Sequence, residues 1–367
     1  MNKNKAKLLA SAALALCFNL PAVAQWGAPS PSTVVNPDNT VTFNFRAPNA
    51  KDVKVNAQFA GTKDMQKGEN GVWSVTLGPT APDIYPYCFV VDGVQVADPQ
   101  CPEWFPNETF KNSLLDMRTA PLIHEVRDVP HGSVDYVDYY SDLMGLYGRL
   151  VIYTPPHYDQ NPNKKYPVFY LISGTTDTEE VYFKVGKVNF ILDNLIAEGA
   201  AKEMIVVLPY GNPSLYFPKG TNTFQMGDIF SKTLINEIMP FVEKNYRTIN
   251  EKDSRAIGGF SRGGNQGLAN GLANLDKFSY LCSYSSFTSP QSSPEVYANG
   301  ADTNSKIKLF WLGVGTDDFL YQNAKEYMDL LDKSGIKNTK EFTTDKHGHT
   351  WMNARYFLDK SLRLLFK

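Results

Sequence analysis

The run Gly259-Phe260-Ser261-Arg262-Gly263-Gly264 sets a serine between glycines. A short apolar stretch, Arg255-Ala256-Ile257-Gly258, precedes it, and Asn265-Gln266-Gly267-Leu268-Ala269, which has helical character, follows. A G-x-S-x-G spacing between strand and helix is that of a nucleophile elbow, where a sharp turn lifts the hydroxyl above a sheet. Glycine is required at such a turn because a Cβ would meet the neighbouring strand and helix. The same pentapeptide also occurs in ordinary Gly/Ser turns, so its meaning depends on partners elsewhere in the chain. A serine hydroxyl becomes a useful nucleophile only when a base takes its proton, most often a histidine held by a carboxylate.

When a serine works from this kind of elbow, the acid and then the histidine follow it along the chain. Only His347 and His349 lie after Ser261; His124, His131 and His157 precede it. His349, between the last expected strand and the terminal helix, is the candidate base, with His347 as its rival. The acid belongs at the end of the strand over 307–315, which runs into Thr316-Asp317-Asp318-Phe319. Asp318 is taken for the triad and Asp317 for the turn, where it could cap the next helix. A tetrahedral oxyanion needs two backbone N–H donors. Arg262 follows the nucleophile and supplies one. The loop Ser173-Gly174-Thr175-Thr176, after the apolar run 166–172, supplies the other from Thr175 or Gly174. Tyr182, Phe183, Tyr210, Tyr216, Phe217 and Phe224 fall in segments that could wall a phenolic pocket, although core packing is the commoner role of any one aromatic. Gly174, Tyr182, Tyr210 and Trp351 are the candidate substrate-binding residues.

These residues require a scaffold, and the hydrophobic pattern describes one. Between 25 and 118, Val41, Phe43 and Phe45 alternate with polar residues, as do Val53, Val55 and Ala57. Further strands are expected over 72–77, 85–91 and 94–97, the last two joined by Asp92-Gly93. Several short strands in about 90 residues indicate a small β-sandwich. A connection over 119–133 follows. From 134 to 367 the pattern alternates: strands near 148–153, 166–172, 204–208, 255–258, 278–283, 307–314 and 341–343, with helices over 188–197, 229–246 (containing Pro240, a kink signal), 321–331 and the C-terminus. Alternating strands and helices imply a doubly wound, mostly parallel sheet covered on both faces.

Composition is that of an ordinary globular protein, with 43% hydrophobic and 20% charged residues in 367. Residues 1–24 have the form of a secretory signal: Lys3, Lys5 and Lys7, then a short apolar run, then Ala22-Val23-Ala24 before Gln25. The run is too short to span a bilayer, and Leu16 before Cys17 is a poor fit to a lipidation site. Removing the three lysines takes the formal charge from −2 to −5, which excludes the basic footprint of a nucleic-acid binder. Export permits a disulfide. Cys88 and Cys101 flank the Asp92-Gly93 hairpin and could bridge, but direct cross-strand pairing would set Cys88 near position 97 instead. With neither C-x-x-C nor a helical His pair, no metal and no cofactor are expected.

The catalytic part resembles carbohydrate esterase family 1, the feruloyl and acetylxylan esterases. The likeness rests on YPVFYLI (166–172), NFILDNLIAEG (189–199), IVVLP (205–209), PFVEKNYR (240–247), the elbow, GTDDFL (315–320) and GHTW (348–351). It implies an α/β-hydrolase fold, a secreted or periplasmic protein, and ester decorations of plant cell-wall xylan and its oligosaccharides as substrates. The family's G-x-x-D acid falls on Asp318. VTFNFRAPNA (41–50), GVWSV (71–75) and YCFVVDG (87–93) resemble an early-set, immunoglobulin-like module of carbohydrate-binding family 48. Trp73 could offer a sugar platform there, though a core tryptophan is the commoner case in a sandwich. Two departures stand out: Ser173-Gly174 where the family often has His-Gly, and Arg262 where it often has Met. A backbone donor survives the first. Arg262 could pair with an acid elsewhere or bias substrate charge. Alternative readings are an acetylxylan esterase of the same fold, a small-thioester hydrolase, and a glycan-binding protein with a vestigial esterase domain.

Overall fold

Period-two alternation of apolar residues builds two antiparallel sheets at the start of the chain. In the computed structural model, which describes residues 31–219, 221, 228–337 and 339–367, these are β1 (Thr33–Val35), β2 (Val41–Arg46), β3 (Val53–Ala57), β4 (Gly61–Asp64), β5 (Gln66–Lys67), β6 (Val72–Leu77), β7 (Ile84–Val91), β8 (Val94–Val96) and β9 (Ser113–Asp116). One sheet runs β1-β2-β6-β5, the other β4-β3-β7-β8 with β9 beside β7. Val41, Phe43, Val53, Val55, Ala57 and Phe89 are fully buried in the core between them. Trp73 belongs to this core, and its indole N–H donates to the Ala47 carbonyl at 2.9 Å. The β7–β8 turn places Asp92 and Gly93 at φ 47 and 85, as a two-residue primed turn requires. Val91 then pairs with Val94 and Phe89 with Val96, and this register carries Cys88 away from Cys101. Cys88, Cys101 and Cys282 are free thiols, so the bridge considered above is not formed. The expected signal peptide, Cys17 and Phe224 lie outside the described residues.

The remaining strands are β10 (Ser133–Ser141), β11 (Leu146–Thr154), β12 (Val168–Ile172), β13 (Ile205–Pro209), β14 (Arg255–Phe260), β15 (Tyr280–Tyr284), β16 (Leu309–Gly315) and β17 (Thr339–Thr344). They form one sheet in the order β10-β11-β13-β12-β14-β15-β16-β17. It is parallel from β13 to β17, with β10 and β11 antiparallel at one edge. The helices are α1 (Val181–Lys184), α2 (Val188–Ala197), α3 (Ile229–Thr233), α4 (Met239–Asn245), α5 (Arg262–Ala273), α6 (Pro294–Ala298), α7 (Gly300–Lys306), α8 (Tyr321–Lys333) and α9 (Trp351–Leu362). Phe169 and Leu171 point to a core shared with α2 and α9, whereas Tyr170 and Ile172 point to one shared with α3, α4, α5 and α8. Burial on both faces is why β12 and β13 read as continuous apolar runs. Between α3 and α4 the chain stays helical through a π segment, Leu234–Ile238. A wider turn there accommodates Pro240, which has no N–H to give to an ordinary helical bond.

The sandwich is fused to the larger sheet. Ser32–Lys367 is one compact unit. Ile84 and Leu114 from the sandwich join the core beneath α2 and α9, and Met352 of α9 packs on the sandwich core. Arg355 of α9, 1% exposed, donates to the Val185 carbonyl at 2.6 Å and pairs with buried Asp83 just before β7.

Candidate active site

β14 ends at Phe260 and α5 begins at Arg262, leaving Ser261 alone in the turn at φ 57, ψ −123. A non-glycine residue in that region is strained and persists only where its surroundings hold it. The glycines on either side are needed for space. A Cβ at Gly259 would stand 2.2 Å from the Ile172 carbonyl oxygen, and one at Gly263 would stand 2.0 Å from the same atom. The end of β12 thus passes directly over both. The Ser261 N–H is anchored to the Tyr284 carbonyl at 2.9 Å.

Two residues distant along the chain, Asp318 and His349, converge on this turn. Asp318 follows β16, and its side chain is wholly buried. Its carboxylate accepts from His349 Nδ1 at 2.9 and 3.0 Å and from the Leu320 N–H at 2.8 Å. Burial works against that charge, but the bonds from His349 and Leu320 outweigh it and hold the carboxyl below its ordinary range. With Nδ1–H committed to Asp318, the Nε2 lone pair of His349 is the free one. The imidazole lies between Phe260 and Phe319, with ring centroids 4.6 and 4.5 Å away. His349 and Ser261 line one open cavity of about 530 Å³. No hydrogen bond joins their side chains among the described residues; in unliganded sites this contact is often loose. His347 turns instead against Tyr356, centroids 5.6 Å apart, and Asp317 is exposed with its N–H on the His347 carbonyl.

The expected oxyanion loop is beside the serine. Gly174 and Thr175 line the cavity, and Arg262, as the first residue of α5, has an N–H with no partner inside the helix. The position of a Gly174 Cβ would lie 3.5 Å from Ser261 Cβ and 3.0 Å from Asp177 Oδ2. Residues 106–108 hold this loop from outside. Asn107 Nδ2 donates to Thr176 Oγ1 at 2.8 Å, the Glu108 N–H to the Thr176 carbonyl at 2.6 Å, and the Thr178 N–H to the Pro106 carbonyl at 3.0 Å.

The structure treats the four candidate substrate residues differently. Gly174 and Trp351 line the cavity. Tyr182 does not: it is fully buried under Trp351, with its hydroxyl donating to the Ile172 carbonyl at 3.2 Å. Tyr210 is also set back, and its hydroxyl donates to Glu108 at 2.9 Å. Glu108 lies 3.8 Å from Arg262 Nη1 and also accepts from Asn212, so Arg262 does pair with an acid. Sequence reasoning missed Glu108 and Asp177, whose roles depend on contacts across long stretches of chain. Asp177 lines the cavity, and burial pushes its carboxyl up to about 7 against the opposing pull of Trp351 and Arg262.

A family model described as "Putative esterase" matches residues 141–347. An endo-1,4-beta-xylanase/feruloyl esterase of Xylanibacter ruminicola is 28% identical over 349 residues, 91% of this chain and 46% of that protein. The chain therefore spans about half the length of that relative. Among solved structures, a ferulic acid esterase aligns with a TM-score of 0.56 and 25% identity over 65% of this chain and 98% of its own. The enterobactin esterase of Shigella flexneri reaches a TM-score of 0.64 at 19% identity, over 89% of this chain and 93% of its own, and so shares the fold along nearly the whole described length. The sheet is that of an α/β-hydrolase, and this chain belongs to the esterase family, whose members hydrolyse carboxylic esters.

Proposed function

We propose that this protein is a secreted serine esterase that removes feruloyl groups from xylan through an acyl-enzyme. One observation carries the reading: His349, held by buried Asp318, opens together with an elbow serine onto a single cavity. In this mechanism His349 Nε2 takes the Ser261 proton as Oγ attacks the ester carbonyl. Asp318 stabilises the resulting imidazolium. The amides of Arg262 and Thr175 receive the oxyanion, helped by the positive end of α5. Collapse expels the sugar alcohol, which takes its proton from Nε2. Water then repeats the sequence on the acyl-enzyme and frees the acid.

The acyl preference is supported by the aromatic lining on the esterase side of the cavity, Phe260, Phe319 and Trp351, and by the resemblance to feruloyl esterases. Export follows from the signal-like N-terminus and from a polymer substrate that lies outside the cell. The test is hydrolysis of methyl ferulate beside acetylated xylan, with Ser261→Ala as control. Ferulate release by the wild type, abolished in the variant, is the expected result. Acetate release alone would replace the feruloyl assignment with acetyl. Release from both that persisted in Ser261→Ala would refute the mechanism.

A further inference from the structure

The cavity that holds Ser261 and His349 has a second wall built by the sandwich: Gln58 after β3, Pro86 in β7, and Phe105 and Asn112 before β9. The side-chain amides of Gln58 and Asn112 make no hydrogen bond among the described residues; only their backbones are engaged, Gln58 N–H to the Pro86 carbonyl and the Asn112 carbonyl to Phe105 N–H. Asn107 differs, because its amide is committed to Thr176 and Thr109. The wall therefore offers two free amides, each both donor and acceptor, beside the apolar faces of Pro86 and Phe105.

Chemistry fixes which half of an ester meets this wall. The leaving alcohol must take its proton from His349, so it departs on the histidine side of the serine. That side abuts the sandwich: α9 begins two residues after His349, and its second residue, Met352, packs on the sandwich core. Neutral amides flanked by apolar surface suit vicinal hydroxyls on a sugar ring and bring no countercharge for an ionic group.

Resting on the serine-esterase reading above, the geometry points to the sandwich face of Gln58, Pro86 and Asn112 as the subsite for the sugar half of the substrate, a neutral glycosyl residue esterified through one hydroxyl. The sandwich is then a wall of the active site and acts in substrate selection there, without needing to bind glycan as a separate module.

The test compares kcat/KM for a feruloylated arabinoxylo-oligosaccharide with kcat/KM for methyl ferulate in the full-length mature protein, Gln58→Ala, Asn112→Ala and the double variant. Losing one neutral hydrogen bond should lower the sugar-to-methyl ratio about three- to tenfold, and more in the double variant. An unchanged ratio overturns the subsite. A second arm does not depend on the acyl assignment: calorimetry of the unesterified arabinoxylo-oligosaccharide with Ser261→Ala protein. Binding weakened by the Gln58 and Asn112 changes supports the subsite even if feruloyl esters are not the substrate. Absence of binding, or binding indifferent to both changes, overturns it. Failure of the wild type on methyl ferulate alone counts against the feruloyl reading instead.

Discussion

Asp318 is held as a carboxylate by a bifurcated hydrogen bond from His349 Nδ1–H and one from the Leu320 amide. Asp318→Asn keeps the shape but removes the charge and permits the wrong imidazole tautomer. The expected result is a fall in kcat of about 10⁴-fold with little change in KM, while His347→Ala, whose ring sits against Tyr356, leaves kcat essentially intact. Steady-state kinetics on one soluble ester separates the Asp318–His349 pair from His347. Asp177 makes a different prediction. Below about 7 its carboxyl is neutral and above about 7 it is charged. That charge would appear beside Gly174, next to the proposed Thr175 oxyanion donor, and like charge opposes a developing anion. The rate should therefore decline as pH rises through about 7, and Asp177→Asn should flatten this alkaline limb while leaving the acid limb in place. A limb unmoved by the substitution would remove Asp177 as its source.

The elements show why those side chains meet. β12 passes so close to the elbow that any Cβ at 263 would strike the Ile172 carbonyl, a backbone atom that no rotamer change can move aside. Gly263→Ala should thus destabilise by about 3 kcal/mol or more, seen as a lower melting temperature together with lost activity; an unaltered melting temperature would mean the strand can retreat. How legible the elements were depends on burial. The strands of the parallel sheet announced themselves because both faces are covered, and α2 matches its expected span, Val188–Ala197. β10 was missed. It is an edge strand, mostly exposed, whose Asp135, Tyr136, Asp138 and Tyr140 hide any two-residue alternation. Pro240 signalled a kink, but not the π segment that absorbs it, whose Leu234 and Ile238 are fixed by burial in the core. The triad candidates were readable because chain order leaves few histidines. The hold of residues 106–108 on the oxyanion loop was not, since nothing local in Asn107 or Glu108 specifies Thr176, Tyr210 or Arg262 as partners.

At the scale of the molecule, the sandwich and the esterase sheet share cores, so stability and activity should not separate cleanly between them. The Asp83–Arg355 pair joins residues 272 positions apart, and its arginine is fully enclosed. Burial penalises both charges: it pushes the Asp83 carboxyl up and the Arg355 guanidinium down, against their mutual attraction. Such a pair adds little over a well-packed apolar substitute but is costly to break from one side. Arg355→Ala leaves Asp83 buried without its partner and should cost about 3–5 kcal/mol. Asp83→Leu combined with Arg355→Met should recover most of that, because both charges leave together. The same logic predicts that a protein beginning at residue 134 will be insoluble or inactive, because the esterase core under α2 and α9 would lose Ile84 and Leu114 and the oxyanion loop would lose its hold from Asn107 and Glu108. Thermal melts and ester hydrolysis of the three variants decide the matter. A soluble, fully active protein from residue 134 would show that the sandwich contributes neither stability nor a wall to the site.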